Sequence, residues 1–326
     1  MNIVMSGANG FVGRALAAAL CGQGHCVAAL TRRPVALPAG VTALPPVGDD
    51  FAGMTGGWPA RATDCVVHLA ARVHVMNERD REPLAAFRRT NVAGSVRLAE
   101  AAAAAGVRRF VYVSSVKAMG EHEPDSGAHP WRESDAPAPE DPYGISKWET
   151  EQALAECAQR LGMELVIVRP PLVYGPGVGA NFRQLLRAVS EARRLPIGAS
   201  DARRSMIFID NLVDALLQCV VRPEAAGHTF NVSDGVDLSV PDLVRSLAMH
   251  LGRPPRLIAV PLPLLDLAGR LSGRRAQIQR LTTPLRIDIG KIRRVLGWEP
   301  PIAMRDALHA TAEWYLTYGQ RSEERR

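Results

Sequence analysis

The chain has 326 residues, 47% hydrophobic and 22% charged, with only 5% aromatic. That balance excludes a disordered or collagen-like chain, and the length suffices for a core with no disulfide or metal staple. The net charge is +6, yet the arginines are scattered in pairs such as Arg32-Arg33 and Arg203-Arg204, with no basic run interleaved with aromatics. This argues against a nucleic-acid partner and for an anionic small molecule.

The N-terminus, "MNIVMSGANG", has no basic flank, long apolar run or cleavage site, so no secretory leader is expected and the protein is placed in the cytoplasm. Residues 2–7 read as a strand, 11–24 as a helix and 26–31 as a second strand. "VGDDF" (47–51) reads as the end of a third strand, and 64–70 as another. A long helix over 86–106 closes on Gly106, followed by a strand over 109–115. A second long helix is expected over 146–162, with Ser146 as its cap and Glu149 three residues on. It leads into a strand over 164–170. Short β-branched runs alternating with Ala/Leu-rich ones are the pattern of βαβ units around a parallel sheet.

Beyond Pro170-Pro171 the regularity loosens, and 172–182 reads as a Gly-rich loop. Residues 1–170, joined by part of 205–232, are expected to form a dinucleotide-binding domain. The remainder of 171–326 forms a smaller α/β substrate domain over a cleft. The apolar stretch 257–269 is broken by Pro261, Pro263 and Asp266 and is too short to span a bilayer, which leaves an interfacial or partner-facing role open. The five cysteines (Cys21, Cys26, Cys65, Cys157, Cys219) form no CxxC pair and sit in apolar or helical surroundings. They read as reduced thiols, and no metal site is expected.

Gly7, Gly10 and Gly13 lie between the first strand and the first helix, where glycine lets the backbone approach a pyrophosphate held by free helix N–H groups. At the end of the second strand an acid suits NAD and an arginine suits a 2′-phosphate. The chain reads Thr31-Arg32-Arg33 there, which favours NADP(H) with NAD(H) as the alternative; solvated loop arginines are the plainer reading. Asp49 is a candidate acceptor for the adenine amino group.

Tyr143 and Lys147 share one helix face. A cationic Lys147 is expected to favour the phenolate, lower the tyrosine pKa and hold a nicotinamide ribose. Ser114-Ser115, at the end of the preceding strand, supplies a hydroxyl for the substrate oxygen. Such a Tyr/Lys pair alone is frequent by chance; behind a glycine loop and a serine strand end it points to proton transfer coupled to hydride transfer.

The ordered series "GANGFVG", "DCVVHLAA", "TNVAGS", "YVSSVKAMGE", "PYGISKWETE", "VRPPLVYGPG" and "LGWEP" resembles the extended short-chain dehydrogenase/reductases, the NAD-dependent epimerase/dehydratase family acting on nucleotide sugars. The resemblance implies a Rossmann doubly wound parallel sheet with a smaller C-terminal substrate domain, a UDP-linked hexose as substrate, and a homodimer formed through the two long helices. It assigns Ser115, Tyr143 and Lys147 to catalysis. For the cofactor it adds Asn9, Phe11, Val12, Leu69, Ala70, Ala71, Asn91 and Pro170 to the glycines, and for the substrate it assigns Asn181 and Arg204 beside Ser115.

Departures narrow the reaction. Family dehydratases carry an Asp-Glu pair after the catalytic hydroxyl residue, where this chain has Val116-Lys117. Sugar 4-epimerases commonly carry the ribose-binding acid that is missing at 31–33. The wording "AARVHVMNE", "SSVKAMGE" and "APEDPYGISKWE" is most similar to bacterial 4-ketoreductases that form UDP-N-acetylquinovosamine for surface polysaccharide. The expectation is therefore NADPH-dependent reduction of a UDP-4-keto-6-deoxy-N-acetylhexosamine. The alternatives are a UDP-sugar 4-epimerase with tightly bound NAD and a catalytically silent NAD(P)-binding regulator. His74 is a further candidate substrate contact.

Overall fold

The computed structural model describes residues 1–56, 58, 62–73, 82–124, 129–273 and 275–319. The first half runs β1 (Asn2–Ser6), α1 (Phe11–Gly22), β2 (Cys26–Leu30), β3 (Val41–Ala43), β4 (Cys65–His68), α2 (Pro83–Phe87), α3 (Gly94–Ala104), β5 (Arg109–Val113), α4 (Pro142–Leu161) and β6 (Glu164–Arg169). The second runs β7 (Leu172–Tyr174), α5 (Ala180–Ser190), β8 (Arg203–Phe208), α6 (Ile209–Val221), β9 (Thr229–Asn231), β10 (Asp237–Ser239), α7 (Val240–His250), α8 (Leu262–Leu271), α9 (Arg275–Thr282), α10 (Gly290–Leu296) and α11 (Met304–Trp314).

Seven strands form one sheet in the order β3-β2-β1-β4-β5-β6-β9, and every neighbour is parallel. A parallel sheet is covered on both faces, which is why its strands read as near-continuous apolar runs. Period-two alternation assigns the faces. Ile3 and Met5 meet Leu16 and Leu20 of α1 and Leu212 and Leu216 of α6, whereas Val4 meets Leu98 of α3 and Leu154 of α4 on the other side. Each such fully buried leucine contributes about 1.5–3 kcal/mol. The order reverses at β1, leaving a crevice at the carboxyl ends of β1 and β4, the ligand position of a Rossmann-like fold.

A second sheet, β10-β8-β7, carries a separate core in which Phe182 and Leu186 of α5, Leu247 of α7 and Leu308 of α11 surround Tyr174 and Phe208. The chain crosses between the two sheets more than once: β9 returns to pair with β6, and β10 then goes back to pair with β8.

Four expectations need correction. The third strand is Val41–Ala43; residues 47–51 lie beyond it, where Gly48 at φ 77° turns the chain away. The 172–182 loop contains β7, paired in parallel with β8, and the first turn of α5. The second long helix starts at Pro142, and its cap is Asp141, whose carboxylate accepts from the Gly144 N–H at 2.6 Å. Proline at the first helical position is preset for a helix and lacks an N–H that would go unpaired, so the helix begins four residues before Ser146. Cys26 is exposed at the start of β2 rather than packed, though all five cysteines are free thiols. His74 and most of 72–82 lie outside the described residues.

Candidate active site

The turn from β1 into α1 is built by close approach. Gly7 sits at φ 76°, and a Cβ there would lie 2.8 Å from the Ala70 nitrogen; one on Gly13 would lie 2.1 Å from the Gly7 carbonyl oxygen. Any side chain would push α1 off the sheet. Gly10 caps α1 without a side-chain acceptor, so the first N–H groups of the helix face the crevice without intrahelical partners. Beside this turn lies a cleft of about 670 Å³ whose lining includes Asn9, Gly10, Phe11, Arg14, Pro176 and Gly177. A cradle that a Cβ would fill, floored by free helix N–H groups, fits a dinucleotide pyrophosphate. Leu69 and Ala70 wall the Gly7 turn, where a Cβ would lie 3.0 Å from the Leu69 carbonyl carbon; Ala71 follows them, half-buried, and buried Pro170 accepts from the Val116 N–H at 2.9 Å.

A hydrogen-bond chain that sequence reading missed holds that wall. The Ala70 N–H donates to Ser6 Oγ at 3.1 Å, which lies 2.6 Å from His68 Nδ1; His68 Nε2 lies 2.7 Å from Ser95 Oγ. Ser95 donates its own proton to the Asn91 carbonyl, so it must accept from Nε2–H. Nδ1 is then the acceptor for the Ser6 hydroxyl, and the imidazole is neutral. Burial pushes His68 down to about 3, in keeping with that tautomer. The only visible signal was a histidine inside the apolar run "VVHLA". Asn91 stands in a π-helical turn (Arg88–Ala93) joining α2 to α3. Its amide brackets the Arg72 backbone, accepting from N–H at 2.7 Å and donating to C=O at 3.1 Å, and donates to Ser146 Oγ at 2.9 Å. Ser146 thus serves the site from inside the helix.

The chemical end forms where β5 stops and α4 starts. Ser115 begins a short turn in which its Oγ accepts from the Lys117 N–H at 3.2 Å, and its side chain acts to lower the Tyr143 pKa. Tyr143 is half-buried and set edge-on to Phe87, with ring centroids 6.2 Å apart. Lys147 is fully buried; its Nζ donates to the Val113 carbonyl at 2.9 Å and lies 5.9 Å from the Tyr143 ring centroid. The structure brings all three residues together.

It does not give the expected charge balance. Burial pushes Lys147 down to about 7, with Glu151 opposing it. Burial also raises Tyr143 above its ordinary value; the Asp141 carboxylate adds to this and the Ser115 side chain works against it. In the protein alone desolvation dominates, so the phenol is held protonated, the form a proton donor needs. Asp141 itself is neutralised by Lys117, whose Nζ lies 2.5 Å from its carboxylate and 2.6 Å from that of Glu121. At the position where dehydratases are expected to have an acid, this chain has a cation spent on the cap of α4.

The remaining candidates are more dispersed. Arg32 pairs with Asp49 at 3.0 Å, both well exposed, so two expected cofactor contacts meet each other; Arg33 is exposed beside them. Arg204, on β8, donates to the Thr283 carbonyl at 2.8 Å, and Asn181 is exposed in the first turn of α5. Among the described residues no cluster of His, Cys, Asp or Glu could hold a metal ion.

A glycine cradle at the switch point of a parallel sheet, with serine, tyrosine and lysine at the next strand end, defines a dinucleotide-dependent enzyme of the short-chain dehydrogenase/reductase class. Residues 3–233 match the NAD dependent epimerase/dehydratase family, and the chain belongs to it. It is 40% identical to a UDP-glucose 4-epimerase of Vibrio cholerae over 98% of this chain and 97% of that protein. It is 30% identical to a UDP-glucose 4-epimerase of Mycolicibacterium smegmatis over 98% and 100%. A Bordetella bronchiseptica enzyme solved with NAD and UDP has the same fold, with a TM-score of 0.74 at 21% identity over 97% of this chain and 95% of that one. Among the described residues no helix is long and apolar enough to cross a membrane.

Proposed function

We propose that the protein is an NADPH-dependent reductase of a UDP-linked 4-ketohexose, of the kind that yields UDP-N-acetylquinovosamine for surface polysaccharide, working in the cytoplasm as a homodimer paired through α3 and α4. The observation that carries the reading is the buried Lys147, its Nζ 5.9 Å from the Tyr143 ring centroid, with Ser115 acting on the same phenol. Bound nicotinamide would supply hydride to C4. Tyr143 would donate its proton to the nascent alkoxide, Ser115 would hydrogen-bond that oxygen, and Lys147 would hold the ribose. Donors fixed in advance around a developing oxyanion lower the barrier to its formation. Arg32 and Arg33 support NADPH, since a guanidinium binds a phosphate dianion through paired hydrogen bonds. Asn181 and Arg204 are proposed for the substrate diphosphate.

A second reading, 4-epimerisation with tightly held NAD, is favoured by the names of the relatives and by the Arg32–Asp49 pair, which engages one of the two arginines. In it the same three residues serve an oxidation followed by a re-reduction. A panel of 4-keto and non-keto UDP-sugars, followed by nucleotide absorbance and product analysis, separates the two. NADPH consumption with the 4-keto sugar alone supports reduction. Interconversion of UDP-glucose and UDP-galactose without net consumption establishes epimerisation instead.

A further inference from the structure

The apolar stretch after residue 257 folds into a helix with two apolar faces. Leu265 and Gly269 of α8 are buried toward the protein. Leu264, Leu267 and Leu271, spaced by three and four, form a separate stripe at 56%, 52% and 82% exposure. Asp266 and Arg270 pair with each other at 2.7 Å on the remaining side. With Ile258, Leu262 and Leu281, this region holds six of the sixteen exposed large hydrophobic side chains among the described residues.

Charge is concentrated in the same part of the sequence. Residues 253–280 contain six arginines and one aspartate, so nearly all of the chain's net +6 resides there. Arg253 and Arg256 are exposed on the segment leading into α8. We propose that α8 docks the protein reversibly, lying in the plane of the surface, on an anionic lipid bilayer. A leucine stripe that enters the acyl boundary beside arginines that meet lipid phosphates is the chemistry of an interfacial helix. A second copy of the chain is a poor occupant, because a two-fold contact through this segment would bring Arg253 and Arg256 of both copies to one interface. Nucleic acid would leave the leucines in water.

The segment also has a defined place. It leaves the substrate lobe where Leu257 bridges Leu195 and returns where Leu285 bridges Arg204, and Ser200 Oγ donates to the Leu281 carbonyl at 3.3 Å. Docking through α8 therefore turns the lobe that carries Arg204 toward the surface. The inference stands on α8 alone and does not depend on which sugar is reduced or epimerised.

The test is co-sedimentation of the full chain with phosphatidylglycerol vesicles and with phosphatidylcholine vesicles. Binding to phosphatidylglycerol is expected to be at least about tenfold tighter and to be lost in about 0.5 M salt. Leu267→Asp with Leu271→Asp is expected to abolish it while the melting temperature and hydride-transfer activity stay unchanged. No binding to phosphatidylglycerol, equal binding to both lipids, or full binding by the double variant overturns the proposal. So does a dimer that the double variant disperses in light scattering while the parent ignores vesicles.

Discussion

Glu151 of α4 and Arg169 of β6 form a bidentate ion pair whose side chains are 2% and 4% exposed. Ser114, immediately before Ser115, donates to the same carboxylate at 2.5 Å, and Arg169 also reaches Met119 Sδ at 2.7 Å. One buried pair therefore ties the end of β5, the turn after it and α4, which carries Tyr143 and Lys147, into a single body.

Removing one partner leaves an uncompensated buried charge, which costs about 3–5 kcal/mol. Glu151→Ala is expected to lose that much in urea unfolding and to slow turnover as well, because Ser114, the residue before Ser115, loses its anchor. Replacing both partners with apolar residues, Glu151→Leu with Arg169→Met, should recover much of the stability and little of the turnover. A cost below about 1 kcal/mol for Glu151→Ala would contradict this account of the pair.

His68 makes stability depend on pH in a stated direction. Its folded-state value of about 3 lies below the ordinary 6.5, so between those limits the unfolded chain binds the extra proton. The contribution is fully present above pH 6.5 and is lost as pH falls toward 3, at a slope of up to about 1.4 kcal/mol per pH unit. His68→Asn is expected to be less stable at pH 8 but to show a shallower loss between pH 6.5 and 4.5. Parallel pH profiles for the two proteins would assign the acid sensitivity to other groups.

Arg33 is the cleaner probe of cofactor choice, because Arg32 already has Asp49 as a partner. On the NADPH reading, Arg33→Ala weakens NADPH at least about tenfold, the loss of a charge-assisted phosphate contact, and leaves NADH within about twofold. Equal changes for both nucleotides, read by fluorescence titration, would remove the arginine argument and favour NAD.

The parallel sheet, the glycine turn and the serine–tyrosine–lysine constellation were all legible, because each is written in short contiguous residues: apolar runs for strands, glycines where the backbone closes, a one-turn spacing on a helix. What the sequence concealed is non-local. Ser6, His68 and Ser95 come from three elements and meet only after the sheet pairs β1 with β4. Glu151 and Arg169 sit 18 residues apart on a helix and a strand, with no local spacing that pairs them. The three-residue strand β7 is too short to show alternation, and its β8 partner lies far along the chain. Ser146 looked like a cap because Glu149 stands three residues on; the Asp-Pro pair at 141–142 was the better signal.

Tyr143→Phe tests the central claim most directly, because it removes one oxygen at the protein's proposed proton donor and leaves the ring against Phe87. Rapid-mixing measurement of hydride transfer to the 4-keto sugar, with nucleotide affinity measured separately, reads chemistry and binding apart. The account predicts a rate lower by about 10²–10⁴, the usual contribution of a positioned general acid, with cofactor affinity within about threefold. Hydride transfer within tenfold of the parent rate would contradict the assignment of Tyr143 and, with it, the site.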